Sequence, residues 1–190
     1  MSKITITAIG AALTLFAASA AHAQMAVSDG AHARACFKAA KYGTNTDQGM
    51  RDCTAAIDTE RLGRLDLAGT YVNRGVLHMR LKAYALARAD FDSAIALEPT
   101  LGDAHVDRGT ALIGELRYKE GIEEIRWGLV LGSQEPAKAY FNRAMAYEAL
   151  DDDRAAYADL VKASELAPNW SAPRNELKHL SPPPGSPKAH

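Results

Sequence analysis

Neither sign of charge dominates this sequence: 22 lysines and arginines stand against 23 aspartates and glutamates in 190 residues. A chain so balanced has no general electrostatic pull toward nucleic acid or toward an anionic membrane surface. Beyond the first two dozen residues there is no apolar run long enough to cross a bilayer. No phosphate-cradling glycine loop, no G-x-S-x-G and no H-E-x-x-H occurs, so the sequence points to no enzyme and implies no cofactor. Cysteine is scarce: there are two, in no C-x-x-C spacing and with no histidine cluster nearby, which argues against a metal centre. Residues 151–153 are three consecutive aspartates. They lack the alternating spacing, glycine and glutamate of a calcium loop and read as a solvated turn. His78 and His105 read as packed or solvated side chains rather than ligands.

What is present begins with a leader. "MSKITITAIGAALTLFAASAAHA" has Lys3 near its start, an apolar stretch, and a small-x-small ending at residues 21–23. That is the pattern of a secretory signal cut after Ala23, rather than a retained anchor, and no cysteine follows to carry a lipid. The expected mature chain starts at Gln24 and is periplasmic or secreted, with no membrane insertion after cleavage.

The rest of the chain repeats itself. "FDSAIALEP" (91–99), "IRWGLVLGS" (125–133) and "LVKASELAP" (160–168) are spaced 34 and 35 residues apart. The same offsets link Gly75, Gly109 and Ala144, then Ala87, Gly121 and Ala156, then Ala94, Gly128 and Ala163. A period near 34 with apolar residues at helical spacing predicts an all-α stack of repeated helix pairs. Arg74, Arg108 and Arg143 each precede an acid by 16 positions: Asp90, Glu124 and Asp159. On antiparallel helices these positions face each other, so an ion pair within each hairpin is favoured over an arginine row awaiting an anion.

These residues resemble the tetratricopeptide repeat family, whose motif has a small residue in helix A, Ala-x3-Phe and a later Ala in helix B, and a closing Pro. Repeat one (68–101) fits with Tyr71, Gly75, Tyr84, Ala87, Phe91, Ala94 and Pro99. Repeat three (137–170) fits with Tyr140, Ala144, Tyr147, Ala156, Leu160, Ala163 and Pro168. Repeat two (102–136) keeps Gly109, Leu112 and Tyr118 but has glycine at both later alanine positions, Ser133 in place of the Pro, and Pro136 three residues late. Glycine costs a helix about 1 kcal/mol relative to alanine, so repeat two is expected to be the least stable. The resemblance implies a right-handed superhelical stack of antiparallel hairpins. A degenerate hairpin and connector (24–67) precede it, a capping helix (171–180) follows, and the proline-rich 181–190 forms a flexible tail.

Counting back along the motif puts Cys36 and Cys53 on the two helices of the degenerate hairpin at similar depth. In an exported chain a Cys36–Cys53 disulfide is then favoured over a reactive or metal-binding pair. The connector from Asp58 to Thr70 carries four extra residues, which either loosen the junction or extend a helix.

The resemblance also implies where a partner would bind. The second, fifth, sixth, ninth and twelfth motif positions face a concave groove: Gly69, Val72, Asn73, Val76 and Met79; Asp103, Val106, Asp107, Thr110 and Ile113; Lys138, Phe141, Asn142, Met145 and Glu148. Asn73 and Asn142 would hold a peptide backbone, with apolar residues taking its side chains. Only Lys138, with neighbouring Arg80, supplies positive charge. The expected function is a non-catalytic scaffold for a protein or peptide in the cell envelope. The alternatives are a self-association module or an accessory subunit of an envelope enzyme.

Overall fold

The computed structural model describes residues 30–180. The assigned leader and the tail from 181 to 190 lie outside the described residues. Nine α-helices, and no strands, occur among those described: α1 (Ala31–Tyr42), α2 (Thr46–Thr59), α3 (Arg64–Arg80), α4 (Tyr84–Leu97), α5 (Gly102–Gly114), α6 (Tyr118–Val130), α7 (Pro136–Glu148), α8 (Asp153–Leu166) and α9 (Ser171–Glu176). Successive pairs form antiparallel hairpins, each second helix packs on the first helix of the next pair, and the first helices pack on one another. None of these helices is long and apolar enough to cross a membrane.

Size complementarity sets each hairpin. A Cβ on Gly75 would lie 2.5 Å from the Phe91 ring, so the small position of α3 is glycine because its partner is aromatic. In the third hairpin the equivalent partner is Leu160, and Ala144 fits beside it, both fully buried. The second hairpin goes further. A Cβ on Gly109 would meet Gly121 O at 2.7 Å, and one on Gly121 would meet Gly109 O at 2.7 Å. Gly102 and Gly128 repeat this reciprocity at 2.8 and 2.6 Å. The glycines expected to weaken this repeat are therefore what lets α5 and α6 approach backbone to backbone.

Cys36 and Cys53 are joined in a disulfide, with their Cα atoms 4.7 Å apart and both side chains fully buried. The long connector extends a helix, since α3 starts at Arg64. Its Glu60 turns back, accepting hydrogen bonds from His32 N (2.9 Å) and Ala33 N (3.1 Å) at the start of α1, where a carboxylate also suits the helix dipole. The late proline of repeat two stands at the first turn of α7, where its missing N–H costs nothing. Of the three consecutive aspartates, Asp152 caps α8 by accepting from Ala155 N, and Asp151 takes the left-handed turn conformation with φ 58°.

All three intra-hairpin ion pairs form: Arg74–Asp90 at 2.7 Å, Arg108–Glu124 at 3.0 Å and Arg143–Asp159 at 2.7 Å. They are more enclosed than surface pairs, with Arg143 15% and Asp159 8% exposed. Arg143→Glu should therefore cost more than the about 1 kcal/mol of an exposed pair and less than the about 3–5 kcal/mol of a fully buried one. Adding Asp159→Arg should return part of the lost melting temperature. A double variant no more stable than the single would show that the two side chains do not act as a pair.

Candidate binding surface

The expected groove positions lie on α3, α5 and α7, and these helices present them very unequally. On α3, Val72 and Val76 are buried in one cluster with Cys36, Ala39 and Ala40 of the first hairpin, and Met79 is half-buried against it. Gly69 and Asn73 are buried as well, and neither amide atom of Asn73 finds a hydrogen-bond partner among the described residues. Arg80 donates to the carbonyls of Ala39, at 2.9 Å, and Ala40. Its charge is spent on the C-terminal end of α1 rather than on a groove.

On α5 the closure has two sources. Val106 and Ile113 point into their own hairpin, where they crowd the positions a Cβ would take on Gly128 and Gly121. Asp103 accepts hydrogen bonds from Ser133 Oγ (2.6 Å) and Gln134 N (3.0 Å), tying down the long connection into α7. Thr110 donates to Val106 O and accepts from Asn142 Nδ2 at 3.0 Å, so the amide of Asn142 joins α7 to α5. Asp107 is 8% exposed, and its Oδ2 has no hydrogen-bond partner among the described residues. Burial, then the nearby Asp103 and Glu135, raise its pKa well above the usual carboxylate range, while Lys138 opposes them.

Helix α7 stays more open. Lys138, Phe141, Asn142, Met145 and Glu148 are all partly exposed, and among the described residues only the short α9 follows the α7–α8 hairpin. Lys138 is paired with Glu135. Phe141 meets Trp170 at a centroid distance of 4.9 Å. The carboxyl of Glu148 is pushed up by burial and by Glu176 and Asp153, with His179 opposing. At the N-terminal end of α7 a cavity of about 570 Å³ is lined by residues 134–138 together with Leu166, Ala167 and Trp170. Sequence reasoning placed Trp170 only at the end of a repeat. Its signal is an aromatic two residues past the closing proline, where the chain turns back toward α7.

The model of the tetratricopeptide repeat matches residues 68–101 and 137–169, the first and third repeats. These two segments are tetratricopeptide repeats. Comparison with curated proteins returns no match. Among solved structures, tetratricopeptide relatives recur. The TPR domain of Arabidopsis OM64 is 19% identical with a TM-score of 0.56, over 62% of this chain and 98% of that one. MamA (41-end) from Desulfovibrio magneticus RS-1 is 18% identical with a TM-score of 0.64, over 80% and 85% of the two chains. At these identities the likeness is one of fold. In tetratricopeptide terms, the motif positions that line the groove of repeats one and two are here largely consumed by packing. Repeat three keeps them open.

Proposed function

We propose that the chain is a non-catalytic scaffold, exported to the cell envelope, that holds a protein or peptide segment on the concave face of its third repeat. The observation behind this reading is the partly open face of α7, which runs from Glu148 and Met145 through Phe141 to the cavity beside Trp170. A half-buried aromatic pair next to a concave, mixed polar and apolar wall suits a peptide side chain as an anchor. Self-association is the second reading, favoured by Trp127 and Val130 on α6, which are 49% and 66% exposed one helical turn apart.

One experiment separates them. A benzophenone amino acid is placed at Phe141 or at Trp127 in the full chain, expressed with its own leader, and cells are irradiated. A foreign protein cross-linked from position 141 and not from 127 is the expected result, on a product whose N-terminus is Gln24. Cross-linking from 127 alone would remove the concave face from consideration, and a product of two copies of this chain would establish self-association. An uncleaved N-terminus would rule out the assigned export.

A further inference from the structure

We propose that the junction between α5 and the first turn of α7 receives a cationic side chain, lysine or arginine, of the bound segment. The inference rests on the concave-face reading above and adds the chemistry of its ligand. Three carboxyl groups lie near this junction, Asp103 and Asp107 one helical turn apart on α5 and Glu135 just before α7, with Lys138 as the base among the described residues that bears on Asp107. Two of the three acids already have work to do: Asp103 holds the Ser133 hydroxyl and the Gln134 N–H, and Glu135 pairs with Lys138.

Asp107 differs. It is more than nine-tenths buried, yet Oδ2 meets no donor among the described residues. A buried acceptor left without a donor is destabilising, and an apolar residue of similar volume would avoid the penalty. A cationic side chain of the bound segment would supply the donor that Oδ2 lacks. Glu135 and Lys138, which bear on Asp107, also form the wall of the open cavity, whose other side is Trp170 and Leu166. The cavity wall offers Glu135, paired with Lys138, at one end and an aromatic ring and a leucine along the side, while Asp107 bears on that end from outside the lining. It suits the charged head and methylene stem of a lysine or arginine. An anionic group would face three carboxyls and is disfavoured. Among the described residues no group of three histidine, cysteine or acidic side chains is disposed to hold a metal ion.

The sign of the pH dependence follows. Asp103 on its own helix, Glu135 in the connection and Lys138 on α7 are the charged groups that bear on Asp107. The net effect of burial and these charges is to keep its proton on, so a cation binds best after that proton leaves. Affinity therefore rises as the pH rises through the elevated pKa.

The test uses the full chain and random twelve-residue peptides displayed on phage. The strongest binder is then synthesised and titrated against the wild type, Asp107→Asn and Phe141→Glu, each first checked for native circular dichroism. The expected result is a shared lysine or arginine, whose replacement by norleucine weakens binding to the wild type about tenfold or more. The same replacement should have little effect on Asp107→Asn, and wild-type affinity should rise with pH. Binders that lack a basic residue, or that tolerate Asp107→Asn while losing binding to Phe141→Glu, would overturn the cation site and leave the concave-face reading standing. Binders indifferent to both substitutions, or no enrichment at all, would overturn both.

Discussion

Gly121→Ala lowers the stability of the fold by about 1–3 kcal/mol, the range for forcing a methyl group into a filled interior. Helix propensity alone argues the other way, since alanine favours a helix over glycine by about 1 kcal/mol. Geometry decides between them. The added Cβ would sit 2.6 Å from Ile113 Cγ1 and 2.7 Å from Gly109 O. The isoleucine can rotate, but the carbonyl belongs to the backbone of α5 and moves only if the helices separate. Separation would also disturb the Gly102–Gly128 crossing two turns away, because the same two helices make both. The measurement is the midpoint of thermal or urea unfolding, with Gly63→Ala as a control. A Cβ at Gly63 meets nothing within 4 Å, and the change there should stay within about 0.5 kcal/mol. A Gly121→Ala protein at least as stable as the wild type would mean that α5 and α6 do not approach this closely.

Opening the Cys36–Cys53 disulfide should cost about 3 kcal/mol, from the loop entropy returned to the unfolded chain across a separation of 17 residues. The effect should be uneven along the molecule. The first hairpin packs on α3 alone, whereas the inner hairpins have neighbours on both sides. Hydrogen exchange of the reduced and alkylated protein, or of Cys36→Ala with Cys53→Ala, should therefore show residues 31–59 losing protection before α5 to α8. Val72 and Val76 should lose part of their cover with them, since Cys36, Ala39, Ala40 and Cys53 belong to the same cluster. If α1 and α2 kept the protection of α5 after reduction, packing rather than the bridge would be what holds them.

Much of this architecture was legible in the sequence because it follows from short-range rules. Helical spacing within one period sets which residues meet across a hairpin, and that covers the three arginine–acid pairs; the cysteine pairing followed once the repeat motif was laid over the first hairpin. The identity of each repeat could also be read from residues less than 35 positions apart. The groove could not be read so directly. Whether a residue at a given motif position is open depends on helices from the neighbouring repeats and on how closely each pair crosses. Glycines at 121 and 128 bring α6 onto α5, and Val106 and Ile113 fill the space against them. Asn142 looked like a free amide, yet Thr110 lies within reach only once α7 stacks on α5. The charge of Arg80 was assigned to the surface because nothing in the sequence placed the end of α1 beside it.

The sequence by itself determined the repeat, its hairpins and their internal ion pairs through periodicity and side-chain size, and its resemblance to the repeat motif pointed to the disulfide. Only the tertiary structure decided that the expected groove positions are largely closed on α3 and α5 and partly open on α7. The reason lies in the order of stacking. An inner first helix is covered by its neighbours on both sides, while α7 is the last first helix of a long pair among the described residues and keeps its groove positions partly exposed.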